Sequence, residues 1–214
     1  MIESCYKILS FIEYIRSIFN IKEIVKSLKR NLYILIFVFS IFLVSFLIST
    51  LLIYDVRYFS FLGDEIFNAF KKELSSKVSF SYNYSFLYKL KLYELILSNN
   101  LKVCILNYIL GVFSLIILLI NTFIISYVLI KFGLKKFIVL ILPHGIFEIP
   151  ALLLSISSGI ILYIGLVKYI LKKEDYKVYI LDSLRILLLS ITLFIIAGFV
   201  ESFITFTLAK SFLG

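Results

Sequence analysis

The chain has 214 residues, 62% of them hydrophobic and only 16% charged, whereas soluble domains carry about 45–50% apolar and about 25% charged residues. That excludes an ordinary soluble domain and predicts an all-α fold, a polytopic transmembrane helical bundle of about five hydrophobic passes. The net charge of +9 sits beside hydrophobic runs, where the positive-inside bias and anionic headgroups account for it, so no nucleic-acid partner is expected.

Residues 1–31 read as an amphipathic interfacial helix on the cytoplasmic face. Ile8, Phe11, Ile12, Ile15, Ile18 and Phe19 recur at helical spacing, and Lys7, Arg16, Lys22, Lys26, Lys29 and Arg30 supply a basic face. The arm is either an anchor on anionic lipid or a docking helix for a partner. Cys5 and Cys104 flank the first span on opposite sides and suggest neither a disulfide nor a zinc site. No cleavable signal peptide is expected, because Leu32–Ile53 is too long and no small-residue cleavage site follows it.

Residues 32–208 read as a single transmembrane helical domain. Leu32–Ile53 is the first span, uncharged throughout and long enough for the roughly 20 residues a bilayer requires. Residues 54–100 form an external loop of mixed charge with two amphipathic surface helices, the second of them, Phe86–Leu97, ending at Asn99-Asn100. Leu101–Ile130 reads as one long second span, with Asn107, Ser114 and Asn121 spaced by sevens and Gly111 between the first two. Such a small, polar stripe packs helices together or lines a pore.

Lys131, Lys135 and Lys136 mark a short basic loop. Leu134–Leu142 is too short to cross a bilayer at about 1.5 Å per residue, so it predicts a half-helix ending at Pro143-His144-Gly145. A proline removes a donor and a glycine follows closely, which makes Pro143, Gly145 and Pro150 the expected helix break. Ile146–Val167 then runs away from the break, with Ala151, Ser155 and Gly159 as a small-residue seam. Lys168–Arg185 is a second charged loop. Ile186–Leu208 is the last span, with Glu201 on one side together with Ala197, Gly198 and Thr205, and residues 209–214 form a short C-terminal tail.

The basic loops set the topology. The N-terminal arm, the 131–136 loop and the 168–185 loop all lie inside if residues 134–167 form a hairpin that enters and returns. The 54–100 loop and the C-terminus then face out, in a multi-pass protein of the cell membrane.

Five intramembrane groups are candidates for one cluster: Asn107, Asn121, His144, Glu148 and Glu201. No water solvates them, so each needs a partner or must stay neutral. Three readings compete. The groups satisfy one another structurally, they carry a proton or cation as in transporters with discontinuous helices, or they hold a divalent metal. The metal reading lacks a second histidine or a His-Glu-x-x-His motif, and no serine or cysteine stands in a recognisable relation to His144. No catalytic residue, metal or cofactor is therefore expected.

Pro143-His144-Gly145-Ile146-Phe147-Glu148-Ile149-Pro150-Ala151 resembles the signature of the stage II sporulation protein M family of integral membrane proteins. Asn99-Asn100-Leu101-Lys102-Val103 resembles the start of that family's second span, and Asn121 matches an asparagine near that span's end, although Thr122 replaces the usual glycine. Ala197-Gly198-Phe199-Val200-Glu201-Ser202-Phe203-Ile204-Thr205 resembles its ending, with Phe206 in place of a proline. The resemblance covers roughly residues 30–210. It implies a five-span fold, a membrane location and importance for His144, Glu148 and Glu201. The sporulation role itself does not carry over and no activity is implied for those residues; the resemblance, the lack of a catalytic constellation and the helical 54–100 loop together lead to the expectation of a non-enzymatic scaffold that assembles with partner proteins. The alternative is a small ion- or proton-coupled transporter or channel using the His/Glu cluster. The partners expected are the lipid bilayer and one or more proteins, with a homo-oligomer open through the small-residue seams.

Overall fold

A computed structural model describes residues 18–77, 86–205 and 207–208, and among them every regular element is helical. Residues 1–17 of the amphipathic arm and the 209–214 tail lie outside the described residues. The elements are α1 (Ile21–Arg30), α2 (Leu32–Asp55), α3 (Arg57–Lys77), α4 (Phe86–Leu110), a 3₁₀ turn (Gly111–Ser114), α5 (Leu115–Leu140), α6 (Leu142–Ile170), α7 (Tyr176–Val200) and a π turn (Glu201–Thr205).

Helix directions follow from a few contacts. α6 and α7 are antiparallel neighbours: Gly165 packs on Tyr179 and Ile180 at one end, Ser190 donates to the Ala151 carbonyl midway, and Thr205 meets His144 at the other end. α4 runs alongside α6 in the same direction, with Asn107 bonded to Ser155 and Gly111 against Tyr163. It runs antiparallel to α7, where Tyr93 packs edge-on to Phe199 and Tyr108 reaches Ser183. At Gly111, with φ of 55°, the chain turns back through the 3₁₀ turn. Only glycine takes that backbone conformation without strain. α5 then returns along α2, Ser126 donating to the Phe46 carbonyl and accepting from Thr50.

The reversal is independently fixed by Asn100 and Asn121, which line one cavity. On a straight helix the 21 residues between them would hold them about 32 Å apart. A second reversal occurs at Gly133 (φ 75°, ψ 165°), after which Ile141 packs back on Tyr127 and Val128. From there helical bonding continues across the junction, Ile141 N–H to the Phe137 carbonyl and Gly145 N–H to the Ile141 carbonyl, both at 2.8 Å.

Among the described residues four stretches are long and apolar enough to cross a membrane, and one of them, 86–140, has 55 residues and folds on itself at Gly111. The bundle is therefore a five-pass integral membrane fold, with passes on α2, α4, α5, α6 and α7. The short, broken helix expected before Pro143 is the 134–140 segment, which joins α6 at Ile141.

Several sequence expectations change. Leu101–Ile130 is not one span; it contributes the end of α4, the turn and most of α5. Periodicity cannot see this, because the turn residues Gly-Val-Phe-Ser are as apolar as the helices they join. The sevenfold stripe is split as well, leaving Asn107 and Asn121 on different helices. Asn99-Asn100 does not end a helix but lies inside α4. Lys131 bonds Asp64 of α3, so the 131–136 segment sits at the end of the bundle opposite α1 rather than beside it. The charged 168–185 stretch is a loop only over 171–175; residues 168–170 end α6 and 176–185 begin α7.

Lipid offers no hydrophobic drive between helices, so close packing of small residues holds the core. Ser155, Ser157, Ser158 and Gly159 of α6 are buried. A Cβ at Gly159 would stand 2.4 Å from the Asn107 carbonyl oxygen. The Ala151/Ser155/Gly159 seam is thus occupied within the chain, against α4 and α7. Around it lie Val38, Cys104, Leu118, Ile156, Ile161, Ile186 and Phe194.

At the α1 end, Asp182 is fully buried and closed by four donors. Ser27 Oγ, Arg30 Nε and Arg30 Nη2 reach it at 2.7 Å and Asn31 Nδ2 at 2.8 Å, with Arg185 at 3.7 Å. Hydrogen bonding to this carboxylate raises the pKa of the Arg30 guanidinium further above its ordinary value. The described part of the N-terminal arm is therefore clamped to α7, while Phe19, Ile21 and Val25 stay exposed for lipid.

Candidate functional site

Pro143 falls in the first turn of α6, where a missing N–H costs nothing. Gly145 and Pro150 lie inside the helix, and Pro150 leaves the Ile146 carbonyl without its helical donor. This start puts His144 and Glu148 one turn apart on one face. Glu201 arrives from α7, 53 residues later, on a turn wound as π-helix. Such wide turns displace a side chain from the regular helical stagger and recur at functional sites.

The three groups converge. His144 Nε2 lies 3.6 Å from Glu148 Oε2, and one ligand atom from each of His144, Glu148 and Glu201 falls within 4.8 Å of the others. His144 is 6% exposed, and its Nδ1 is 3.2 Å from Thr205 Oγ1. With the proton on Nδ1, the ring donates to Thr205 and leaves the Nε2 lone pair facing the carboxylates. Thr205 thus fixes the ring from the same turn that delivers Glu201.

Both carboxylates open onto a cavity of 540 Å³ between the splayed arms of α4 and α5. Its walls include Leu95, Ile96, Asn99 and Asn100 of α4, and Asn121, Phe123, Ile124, Tyr127 and Val128 of α5. Gly63, Ile66 and Phe67 of α3 cover one side. α3 is held there by Asp64, which accepts from Tyr127 at 2.5 Å and Lys131 at 2.6 Å. Those two donors, Lys131 first, hold the Asp64 carboxyl below the ordinary carboxylate range.

Of the five groups expected together, His144, Glu148 and Glu201 form the cluster and Asn121 stands in the cavity wall. Asn121 donates to the Ile117 carbonyl at 2.9 Å. Asn107 is not part of it: it links α4 to α6 through Ser155 at 2.8 Å. Asn100 was passed over as a site residue. It is 7% exposed, lines the cavity, and its amide nitrogen has no partner among the described residues. The signal for it was present in the sequence as two adjacent amides within an apolar run.

Depth is set by helix rise. The 19 residues from Asp182 to Glu201 span about 28 Å, comparable to a hydrocarbon core of roughly 30 Å. Asn100, 11 residues from the Gly111 turn, stands about 16 Å from it, near mid-depth. The cavity therefore extends from the membrane boundary, where Glu201 lies, toward mid-depth at Asn100, with two carboxylates and three amides in its wall. An arrangement of one imidazole nitrogen and two carboxylates can hold a proton or a cation between them.

The model of the family described as stage II sporulation protein M matches residues 32–206. An uncharacterised protein of the archaeon Methanocaldococcus jannaschii is 44% identical over 211 residues, covering 96% of each chain. A second uncharacterised protein of that organism is 38% identical over 122 residues, covering 51% of this chain and 68% of its own. No solved structure matches. The chain belongs to the stage II sporulation protein M family.

Proposed function

We propose that this member of the stage II sporulation protein M family is a small membrane carrier that takes a cation into the α4/α5 cavity and binds it at His144, Glu148 and Glu201. One observation carries this reading: three ionisable groups from two helices converge on a polar-walled cavity inside an apolar bundle. Two carboxylates held beside one imidazole favour a bound proton or cation between them, and a site open to a cavity can exchange it.

The test is cation flux, proton flux included, in reconstituted vesicles. Wild-type protein is expected to carry at least tenfold more than Glu148→Gln or Glu201→Gln, both folded. Equal flux through all three overturns the reading.

A scaffold for partner proteins is the second reading, favoured by α3. Its Phe59, Gly63 and Phe67 face the bundle, while Tyr58 and Phe61 remain exposed beyond the end of α2. Replacing Tyr58 and Phe61 by serine is expected to abolish recovery of a co-purifying protein from native membranes if this reading holds. Unchanged recovery removes it.

Orientation is part of the proposal. With the 131–136 segment moved across, six basic residues in the N-terminal arm and five in 168–185 stand at one end. Nine stand at the other, six of them in the 54–100 segment, so the positive-inside rule favours the α1 end by the narrow margin of eleven basic residues to nine. The α1 end is therefore placed in the cytoplasm and the C-terminus outside.

A further inference from the structure

We infer that His144 Nε2 and the carboxylates of Glu148 and Glu201 form a three-ligand site for a divalent first-row metal ion of the zinc class, with its remaining position turned to the cavity beside Asn100. The inference rests on the cation-carrier reading and names the ion.

Ligand type comes first. One imidazole and two carboxylates suit zinc and its neighbours; calcium and magnesium take all-oxygen sets of six or more ligands. Three protein ligands with an open fourth position is the arrangement from which a bound zinc can exchange ligands, whereas closed four-ligand sites are structural.

Geometry comes second. Ligand bonds of about 2.0–2.2 Å in a tetrahedron put ligand atoms roughly 3.4 Å apart. The His144–Glu148 pair is already at 3.6 Å, and the full set lies within 4.8 Å. Side-chain rotations of about 1 Å close it. Thr205 Oγ1 supplies the outer contact that metal-bound histidines use, taking the other ring N–H and fixing which nitrogen faces the ion.

Asn100 gives an independent pointer to a ligand. The residue lines the same cavity and is 7% exposed, and its buried amide nitrogen has no partner among the described residues. Leaving a buried donor unmade costs about 1–3 kcal/mol. An oxygen on the open coordination position, from water or from an anion travelling with the metal, would satisfy it. His144 stands behind the carboxylates and does not line the cavity. An ion therefore meets Glu148 and Glu201 first and takes the imidazole as its innermost ligand.

The test uses the full chain in detergent, stripped with chelator and titrated with Co²⁺. One equivalent per chain is expected, with intense visible absorption and displacement by Zn²⁺ but not by Mg²⁺. His144→Ala, Glu148→Gln and Glu201→Gln are each expected to weaken binding at least 100-fold, and Asn100→Leu by less. X-ray absorption on Zn²⁺-loaded wild type should show nitrogen or oxygen ligands near 2.0–2.1 Å with one imidazole, and it needs no variant to fold. No saturable Co²⁺ binding, or binding unchanged in the three variants, overturns the inference. Proton flux with no metal binding would sink the inference and leave the carrier reading standing. Tight metal binding with no flux of any cation would do the reverse.

Discussion

Two carboxylate clusters stand at opposite ends of this bundle among the described residues, one buried and one open to a cavity, and they are built differently. Asp182 at the α1 end is closed: two side-chain nitrogens of Arg30, a hydroxyl and an amide reach it within 2.8 Å, and none of its surface is exposed. Glu148 and Glu201 at the other end have one imidazole between them and open onto a cavity whose nearby amide, Asn100, is unsatisfied. The first arrangement spends every donor on holding α1 to α7. The second keeps coordination capacity in reserve, which is what a ligand site needs and what a structural clamp avoids. The difference lies in the carboxylates themselves: Asp182 accepts four short side-chain hydrogen bonds, while Glu148 and Glu201 share one imidazole.

The largest expected effect lies in the closed cluster. Asp182→Ala leaves the Arg30 guanidinium and two polar side chains without their acceptor, and removing one member of a buried ion pair costs about 3–5 kcal/mol. Thermal unfolding in detergent should show it directly, and Asp182→Asn should be milder because the amide still accepts. A shift of less than about 1 kcal/mol would mean that water reaches Asp182 and the cluster is not closed.

Between the two ends, Gly159 probes whether α4 and α6 act as one body. Gly159→Val puts a side chain against the Asn107 carbonyl oxygen, which is backbone and cannot swing aside. Overpacking of this kind costs about 1–3 kcal/mol. It should also weaken metal binding by moving α4 and Asn100 relative to Glu148. Loss of stability with unchanged binding would show that the site is independent of that seam.

At the open cluster, Glu148→Gln and Glu201→Gln should change stability by less than about 1 kcal/mol, since a neutral amide relieves like-charge crowding without changing shape. Binding should fall as described above. If either variant unfolds as readily as Asp182→Ala, the contrast between the clusters fails and Glu148 and Glu201 are structural.

The smallest effect concerns the cover. Asp64 has a carboxyl pKa lowered by Lys131 and Tyr127. A depressed carboxylate stabilises above its unfolded value and loses that contribution as pH falls through the folded one. Protease sensitivity of α3 should stay flat from about pH 5 to 8 and rise below the ordinary carboxylate range near 4. Asp64→Asn should show the raised sensitivity at all pH values, modestly, as exposed pairs are weak.

Much of this protein was determined by local chemistry and so was readable in the chain alone. The membrane class, the all-helical fold, the short broken helix before Pro143, and the pairing of His144 with Glu148 all follow from hydropathy, from the properties of proline and glycine, and from helical spacing. The family motif carried Glu201 into the same group, and its asparagine pair already held Asn100. What the chain could not reveal is where an apolar run turns. Gly111 looks like any small residue in a packing stripe, and only its neighbours Tyr163 and Asn107 show that α4 ends there. From that one turn follow five passes with Lys131 at the far end, the separation of Asn107 from Asn121, and the cavity between α4 and α5. The Asp182 clamp was equally hidden, because charged residues beside a span read as a solvated loop until their partners are placed. Spacing along a helix fixes neighbours within about two turns; partners 50 to 150 residues apart are chosen by packing, and both carboxylate clusters are of that kind.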